Sequence, residues 1–386
     1  MMEAYLDNSA TTRCLESVKD LVVKTMMEDF GNPSSRHMKG VEAEKYLREA
    51  REQIASTMKV SEKEIFFTSG GTESNNWALI GAALANRRAG MHIITTAIEH
   101  AAVIQPMMFL QEMGFRVTFL PVDRQGQVDL DQLREALDEE TILVSAMFVN
   151  NEMGAVEPIA QIGKIIKEYN QGILFHVDAI QAYGKFRILP KKMNIDMLSV
   201  SGHKIHGPKG VGFLYVKEKT KLHPLILGGG QQRGMRSGTD NVPGIAGLGA
   251  AAAEAYRNFD EKRAHLEKLK HYLIEGISQI EGTQVNSGEG ENWAPHIVSV
   301  SFRGVRSEVL LHALEEREIY VSSGSACSSN KKLPVSTVLR EIHLDHDLLD
   351  STIRFSFCEQ NTIEEVTYCL SVLRELLPVL RRFIRH

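Results

Sequence analysis

The stretch "SVSGHKIHGPKGVGFLYV" (residues 199–216) holds a lysine, Lys204, between two histidines and among four glycines. β-Prone residues lie on both sides of it, at 197–200 and at 211–216. The pattern predicts two buried strands joined by a glycine-bordered turn. A lysine that serves only solubility needs no such turn, whereas a lysine that must meet a ligand in a fixed pose does.

Strand-like and helical runs alternate along the first half of the chain. The runs that predict strands are "EIFFT" (64–68), "HIITT" (92–96), "RVTFLPV" (116–122), "TILVSAMFV" (141–149) and "ILFHVDA" (173–179). The runs that predict helices are residues 41–58, 76–90, 101–113, 129–140 and 159–169. This alternation predicts an α/β fold, in which a mainly parallel sheet is covered by helices on both faces.

The pattern changes after "GTDNVPG" (238–244). Residues 244–280 predict long helical stretches, and later runs predict the strands "IVSVSF" (297–302), "IYVSSGSA" (319–326) and "TIRFSF" (352–357), with a last helix over 363–383. We therefore expect a large domain at 15–256 and a smaller α+β C-terminal domain at 257–386. Residues 1–14 are expected to pack near the smaller domain.

Composition excludes several classes of function. The chain has 386 residues and a net charge of −5, so no strong attraction to nucleic acid or to an anionic membrane is expected. Its four cysteines form no CxxC pair, which argues against a metal site or a disulfide framework and favours a reducing compartment. The segment "MMEAYLDNSATT" (1–12) has neither a basic nor an apolar region, so we expect no signal peptide, and no apolar run is long enough to span a bilayer. We expect a cytoplasmic protein.

Polar residues follow several of the predicted strands, where ligands of α/β sheets bind. "SGGTESNN" (69–76) would present N–H and O–H donors at a helix N-terminus, which suits a phosphate. A glycine-rich helix start that binds no phosphate explains the motif equally well. Asp178 could serve a ligand or only cap the next helix. His100, alone at a strand end, is more often structural. Asn150 and Asn151 follow another strand.

The combination of these residues is more specific than any one of them. Pyridoxal phosphate needs a lysine for its aldehyde, an acid facing its pyridinium nitrogen and a phosphate pocket. Lys204, Asp178 and Thr72 supply one of each, at separate strand–helix junctions. Ser201 and His203 can add phosphate donors, and a flat aromatic such as His100 can stack on the ring.

The motifs together resemble one family. They are "YLDNSATT", "FGNPSSRH", "FTSGGTESNN", "IEHAAV", "NNEMGAVEP", "HVDAIQAYGK", "SGHKIHGPKG", "GGGQQRGMRSGTDN" and "SSGSACSS". In this order they resemble the cysteine desulfurases of the NifS/IscS type, pyridoxal-phosphate enzymes of the class V aminotransferase fold. The resemblance covers residues from about 5 to about 375. The segment "FSFCEQNT" (355–362) departs from the family's commoner glycine-bearing form.

The resemblance implies a role for each matching residue of the cofactor site. It implies a covalent bond of the cofactor to Lys204, an acid at Asp178, polar neighbours at Gln181 and Asn151, a phosphate site at Gly71, Thr72, Ser201 and His203, and a stacking, catalytic histidine at His100. Thr239 matches a residue that the family donates to the partner subunit's phosphate, which implies a homodimer. Arg354 matches the arginine that holds the substrate carboxylate, and Asn32 lies in a motif lining the same mouth.

Cys327 selects the reaction. The small residues around Cys327 are equally compatible with a reactive thiol on an open loop and with a buried, inert cysteine. The resemblance implies that Cys327 attacks the sulfur of L-cysteine, so that L-alanine leaves and a persulfide stays on Cys327. A sulfur-acceptor protein, in iron–sulfur cluster assembly or in tRNA or cofactor thiolation, would then take the sulfur.

Three alternatives to this function stay open at the level of sequence. One is a selenocysteine lyase, and another is a different class V enzyme such as an aminotransferase, although an aminotransferase needs no cysteine of this kind. The third, from another functional class, is a non-catalytic sulfur-carrier subunit. Such a subunit would be expected to lose the cofactor-binding residues, which this chain retains.

Overall fold

The structure is a computed structural model that describes residues 2–323 and 336–383. Within these residues the helices are α1 (Glu16–Met27), α2 (Met38–Met58), α3 (Gly71–Asn86), α4 (Ala101–Glu112), α5 (Leu130–Ala136), α6 (Ile159–Tyr169), α7 (Val242–Tyr256), α8 (Phe259–Ser278), α9 (Ser307–Glu315), α10 (Thr337–Glu341) and α11 (Ile363–Leu380). The strands are β1 (Ala4–Tyr5), β2 (Ile65–Thr68), β3 (His92–Thr96), β4 (Arg116–Leu120), β5 (Thr141–Met147), β6 (Leu174–Asp178), β7 (Met197–Ser201), β8 (Gly212–Val216), β9 (Thr283–Val285), β10 (Ile297–Phe302), β11 (Ile319–Tyr320), β12 (Ser322–Ser323) and β13 (Thr352–Ser356).

A large sheet lies at the centre of the molecule, with its strands in the order β2-β8-β7-β6-β5-β3-β4. β8 runs antiparallel to β2 and β7, and the other neighbouring strands run parallel. Consecutive side chains of one strand enter different core clusters, as Phe66 and Phe67 do in β2 and Leu143 and Val144 do in β5. Because side chains alternate across a strand, both faces of the sheet must be covered. The predicted α/β fold with a mainly parallel sheet is confirmed.

A second core forms around the C-terminal part of the chain. Its four-stranded sheet has the order β12-β13-β10-β9, and all its neighbouring strands are antiparallel. The core cluster there combines residues of α8, β10, β13 and α11 with Ala4 and Leu6 from the N-terminus. β1 pairs in parallel with β11. The division of the chain into two domains at residue 257 stays a prediction, and so does the packing of residues 1–14 near the smaller domain. The two separate cores support both predictions.

Several predicted helices are shorter in the structure than in the sequence prediction. The helix expected at 129–140 is α5, which ends at Ala136. The Asp138 side chain accepts hydrogen bonds from the Thr141 hydroxyl and the Glu140 N–H, and it pairs with Arg116. These local bonds offer the backbone an alternative to another helical turn.

The C-terminal helices also differ from their predicted bounds. The stretch expected at 244–280 is divided into α7 and α8, because Asn258 takes a left-handed conformation (φ 51°) between them. The last helix ends at Leu380, and a short 3₁₀ turn follows over Arg381–Phe383. In the two ranges that the structure describes, no helix combines the length and the apolar character needed to cross a membrane.

A charged cluster joins the two cores at Glu359, within the segment that departs from the family pattern. Its carboxylate lies 3.8 Å from Lys185 Nζ, 3.3 Å from His206 Nε2 and 3.8 Å from Lys262 Nζ. Lys185 and His206 are buried and Glu359 is largely so. Burial lowers the pKa of His206, but contacts with Cys358 and Glu359 outweigh burial and raise that pKa to about 9. Lys262 also pairs with Glu254 (3.3 Å), so Glu359 matters most for the charge balance of Lys185 and His206.

Replacing Glu359 with glutamine should lower the free energy of unfolding at pH 7 by about 3 kcal/mol, because breaking a buried ion pair leaves its partners uncompensated.

The stabilisation that His206 contributes depends on pH in a defined range. The histidine's folded pKa of about 9 lies above its usual 6.5. Its stabilisation is therefore complete below pH 6.5 and is lost as the pH rises through about 9. Urea denaturation at pH 7 and pH 10 measures both effects.

The exposed Glu281 provides the matched control, since Glu281→Gln removes the same charge outside any buried cluster. Its effect should stay below about 0.5 kcal/mol. Equal unfolding free energies for the Glu359→Gln variant and the wild type at pH 7 would show that the cluster does not hold the two cores together.

Candidate active site

A cavity of about 420 Å³ lies at the carboxyl ends of β5, β6 and β7. These strands are parallel neighbours, so the residues that follow them meet at one edge of the sheet. Ten of the residues singled out in the sequence line this cavity: Gly71, Thr72, His100, Asn151, Asp178, Gln181, Ser201, His203, Lys204 and Arg354. The fold thus brings together residues that lie up to 283 positions apart in the sequence, as Gly71 and Arg354 do.

Asp178 ends β6 and is almost fully buried. Its Oδ2 accepts a hydrogen bond from Asn75 Nδ2 (2.7 Å), and its Oδ1 accepts one from the Ile180 N–H (3.0 Å). Burial raises the pKa of Asp178, and these two hydrogen bonds oppose the rise. Asn75 lies in the quoted motif "SGGTESNN", but its role was missed because nothing local shows that it reaches residue 178. Its Oδ1 is buried without a hydrogen-bond partner in the part of the chain that the structure describes.

Lys204 ends a 3₁₀ turn, Gly202–Lys204, that follows β7 directly. Its Nζ donates hydrogen bonds to the backbone oxygens of Ser9 and Ala10, the latter at 2.7 Å. The surrounding glycines permit close approach of backbones: a Cβ at Gly212 would lie 2.5 Å from the Val200 oxygen. The lysine is therefore held inside the cavity by the N-terminal segment and by a turn that needs glycine.

The N-terminus of α3 forms one end of the cavity. The helix starts at Gly71, and Gly70 before it (φ 146°) provides no side-chain cap. A Cβ at Gly71 would lie 2.2 Å from Ile180 Cδ1, so any other residue here would force the Ile180 side chain to move. Thr72 and Ser201 add hydroxyl groups beside the helix N-terminus. Open N–H groups with hydroxyls around them suit an anion.

His203 contributes to the same region as a neutral ring. Its Nδ1 lies 3.2 Å from Thr11 Oγ1. Burial, together with the charges of Lys204 and Lys209, lowers its pKa to about 4. At neutral pH the imidazole is therefore uncharged and can donate one hydrogen bond from a ring nitrogen.

His100 is the N-cap residue of α4, and the structure fixes the orientation of its ring. Its Nδ1 accepts a hydrogen bond from the Ala102 N–H at 3.0 Å. In the neutral ring, an accepting Nδ1 leaves the proton on Nε2. His100 therefore has a structural role and also presents an N–H donor in a residue that lines the cavity.

Arg354, on β13, also lines the cavity. Its Nη1 donates to the Asn151 backbone oxygen (2.8 Å), and its Nη2 donates to Asp7 Oδ1 (2.7 Å). The sequence prediction missed Asp7, although the motif "YLDNSATT" contains it, because the pair joins distant parts of the chain. Gln181, another cavity residue, donates from Nε2 to the Ser9 backbone oxygen (3.0 Å).

Glu152 is a second cavity residue that sequence reasoning missed, although "NNEMG" contains it. Its carboxylate accepts a hydrogen bond from the hydroxyl of Ser336, the N-cap residue of α10. Burial raises the pKa of Glu152 to about 7, against the opposing effects of Ser336 and Arg354. The cavity therefore contains a carboxyl group that changes charge near neutral pH.

Three predicted site residues do not line the cavity as the structure describes it. Asn32 and Thr239 are exposed. Cys327 lies outside the described residues. Ser322 and Ser323, before it in the chain, and Leu339, after it, line the cavity.

The chain is similar to known proteins in both sequence and structure. The family model described as aminotransferase class-V matches residues 4–369. The chain is 46% identical over 377 residues to a protein from Methanosarcina thermophila named cysteine desulfurase IscS, with 98% of this chain and 92% of the relative covered. A solved structure titled NifS-like protein superposes with a TM-score of 0.93 at 41% identity, covering 98% of this chain and all of that one. A structure titled SspA in complex with cysteine gives a TM-score of 0.81 at 35% identity, covering 93% and 100% of the two chains.

The raised pKa of Glu152 predicts a titration of the carboxyl group near pH 7. Difference infrared spectra between pH 5 and pH 9 should contain a carboxyl-to-carboxylate change that Glu152→Gln removes, because the amide does not ionise. Glu308→Gln, which changes an exposed glutamate, should leave the change intact. Identical difference spectra for the Glu152→Gln variant and the wild type would show that Glu152 does not titrate in this range.

Proposed function

The chain belongs to the class-V aminotransferase family, and from this membership and the geometry of its cavity we propose that it is a cysteine desulfurase of the NifS and IscS type. The enzyme would convert L-cysteine to L-alanine and hold the sulfur as a persulfide on Cys327. One observation carries the proposal: Lys204, the buried Asp178, the open N-terminus of α3 and Arg354 line one cavity. The relatives do not favour the alternative functions.

The residues of the cavity fit pyridoxal phosphate. A buried carboxylate is costly without a cation, and the pyridinium nitrogen would supply one to Asp178. Asn75 holds that carboxylate in place. The α3 N-terminus, with the hydroxyls of Thr72 and Ser201 and the neutral His203, offers the donors that a phosphate accepts. Lys204 provides the amine for the aldehyde, and His100 the flat ring to stack on the cofactor.

Pyridoxal phosphate, when bound, supplies the electron sink for the pair that remains when the substrate's Cα–H bond breaks. The protein supplies the remaining functions. Lys204 Nζ would take the α-proton and would return a proton as alanine forms. Arg354 would orient the substrate through its α-carboxylate, since its planar fork matches a carboxylate.

Cys327 is proposed as the nucleophile. Its thiolate would attack the substrate sulfur, so that an S–S bond forms while the Cβ–S bond breaks and its electron pair passes to the carbon skeleton. Ser323, a cavity residue, precedes Cys327 by four positions, which limits their separation to about 14 Å. Cys14, Cys358 and Cys369 do not line the cavity, and burial raises the pKa of Cys369 to about 12.

A homodimer would bring Asn32 and Thr239 to an active site. Both residues are exposed, and each lies near exposed apolar side chains, as expected at an interface. Phe30, two residues before Asn32, is 67% exposed, and Leu227 is 72% exposed beside the segment that leads to Thr239. We propose that Thr239 completes the phosphate site of the partner subunit and that Asn32 lines the mouth of a site.

The sulfur acceptor would be another protein, acting in iron–sulfur cluster assembly or in thiolation of tRNA or a cofactor. A cytoplasmic location is part of the proposal, since free thiols and a persulfide carrier both suit a reducing compartment.

Cys327→Ser tests the proposed reaction directly. The variant should still bind the cofactor and L-cysteine, because Lys204, Asp178 and Arg354 remain, but release of alanine and sulfide should fall by at least about a thousandfold, because no nucleophile is left to take the sulfur. Alanine release, measured by chromatography, and cofactor absorbance separate the two effects.

Cys14→Ser provides the control, since Cys14 lies outside the cavity and its removal should leave alanine release unchanged. Wild-type alanine release by the Cys327→Ser variant would exclude Cys327 as the sulfur carrier.

Mixed dimers test the shared active site. Co-expressed Lys204→Ala and Thr239→Ala subunits should form dimers with one fully intact site, because both changes fall in the same site when Thr239 serves the partner. A wild-type subunit paired with a subunit that carries both changes should contain no fully intact site. Tagged, purified mixed dimers can be compared by cofactor content and alanine release. Higher cofactor content and alanine release in the dimer of wild-type and doubly changed subunits than in the dimer of singly changed subunits would place Thr239 in its own subunit's site.

A further inference from the structure

The Arg354 guanidinium is already paired with a carboxylate of the protein itself. Asp7 is 18% exposed and Arg354 is 11% exposed, so water screens their 2.7 Å contact only weakly. Asp7 and Arg354 both line the cavity. The Nε atom of Arg354 is buried and has no hydrogen-bond partner among the residues that the structure describes. Because arginine has five N–H donors, the guanidinium retains donors for a further acceptor, but its charge is matched.

The backbone around Asp7 fixes this pairing. Asp7 forms a β-bridge with Ser356, two residues beyond Arg354 on the same strand. The Ser356 N–H donates to the Leu6 oxygen (2.7 Å), the Asn8 N–H donates to the Ser356 oxygen (3.2 Å), and the Ser9 N–H donates to Ser356 Oγ (2.8 Å). The main chain is thus bonded on both sides of residue 7. The carboxylate belongs to a built arrangement and is not a mobile surface group.

A guanidinium without a counter-ion at the mouth of a cavity would attract any small anion. Sulfate, phosphate and simple carboxylates would then compete with the substrate for the same donors. A carboxylate next to the guanidinium cancels the net charge but leaves hydrogen-bond donors available. Such a site binds a carboxylate weakly but in a fixed orientation. It suits a substrate whose second group supplies the remaining binding free energy.

We propose that Asp7 is the internal counter-ion of Arg354 and keeps the mouth of the cavity from being occupied by anions that lack an amino group. The inference rests on the proposed function, because it takes Arg354 as the site of the substrate's α-carboxylate. An amino acid is held at both ends, by Arg354 and at the cofactor. A carboxylate without an amino group has only the Arg354 end, where the negative charge of Asp7 opposes it.

The test compares propionate binding to the cofactor-loaded wild type and to the Asp7→Asn variant. Propionate has the carbon skeleton and carboxylate of alanine but no amino group. Asparagine keeps the size of the side chain and an acceptor for Arg354 while it removes the charge. Removing a like charge about 5 Å from the ligand should strengthen propionate binding by roughly 200- to 300-fold at an effective dielectric constant near 20. Calorimetric titration measures the affinity.

Propionate should also become a competitive inhibitor of the Asp7→Asn variant at concentrations that leave the wild type uninhibited. Asp20→Asn, which removes the same charge from an exposed position on α1, should bind propionate as the wild type does. Asp7→Ser provides a second uncharged variant and should bind propionate more tightly as well, should Asp7→Asn fail to fold.

Equal or weaker propionate binding after loss of the Asp7 charge would overturn the inference, and weaker binding would indicate that Asp7 only orients the arginine. Adding Arg354→Gln to Asp7→Asn should abolish the gain, and a gain that persists would overturn the inference, since it would then not arise at Arg354. Failure of the proposed function has a different signature, since the wild type would then release no alanine from L-cysteine.

Discussion

The burial of the Asp178 carboxylate at the end of β6 is the constraint on which the site depends. A carboxylate in this environment costs several kcal/mol unless donors and a cation compensate for lost water. Asn75 supplies one donor and the Ile180 N–H another. Since Asn75 belongs to the first turns of α3, its bond to Asp178 ties that helix to the strand. The same contact thereby holds the acid close to the helix N-terminus that is open to an anion.

The N-terminal segment holds the remaining parts of the site together. β1 pairs with β11 in a separate two-stranded sheet, while the oxygens of Ser9 and Ala10 accept from Lys204 in the turn after β7. Asp7, which lies between β1 and Ser9 in the chain, pairs with Arg354. A few consecutive residues thus contact both cores and two of the charged residues of the cavity. The site is therefore a property of the whole chain, and neither core contains it alone.

The sequence allowed the strand-end residues to be predicted because their positions depend on local patterns. Asp178 and Lys204 each follow a run of buried strand residues, and Gly71 opens a largely buried helix. The family resemblance then supplied roles for Arg354 and Thr239 that no local pattern shows. Strand runs also predicted the mainly parallel sheet, since residues buried on both faces form nearly continuous apolar segments.

The partners of Asp178 and Arg354 could not be predicted in the same way. Asn75 reaches across 103 positions and Asp7 across 347, and single-sequence patterns carry no information about such pairs. Glu152 was missed because its raised pKa results from burial, which depends on the complete fold. The early end of α5 has a similar cause, since Asp138 bonds to Arg116 on a neighbouring strand as well as to its own turn.

The position of the N-terminal segment has a consequence for biosynthesis. Residues 4–10 are translated long before their partners at 319–320 and 352–356. The large sheet and its helices can fold during translation, because β2 to β8 are complete by residue 216. Until the segment 319–356 has left the ribosome, however, Asp7 has no arginine beside it and β1 has no strand to join. The cavity is therefore completed late, and a nascent chain that stops before β13 has no complete active site.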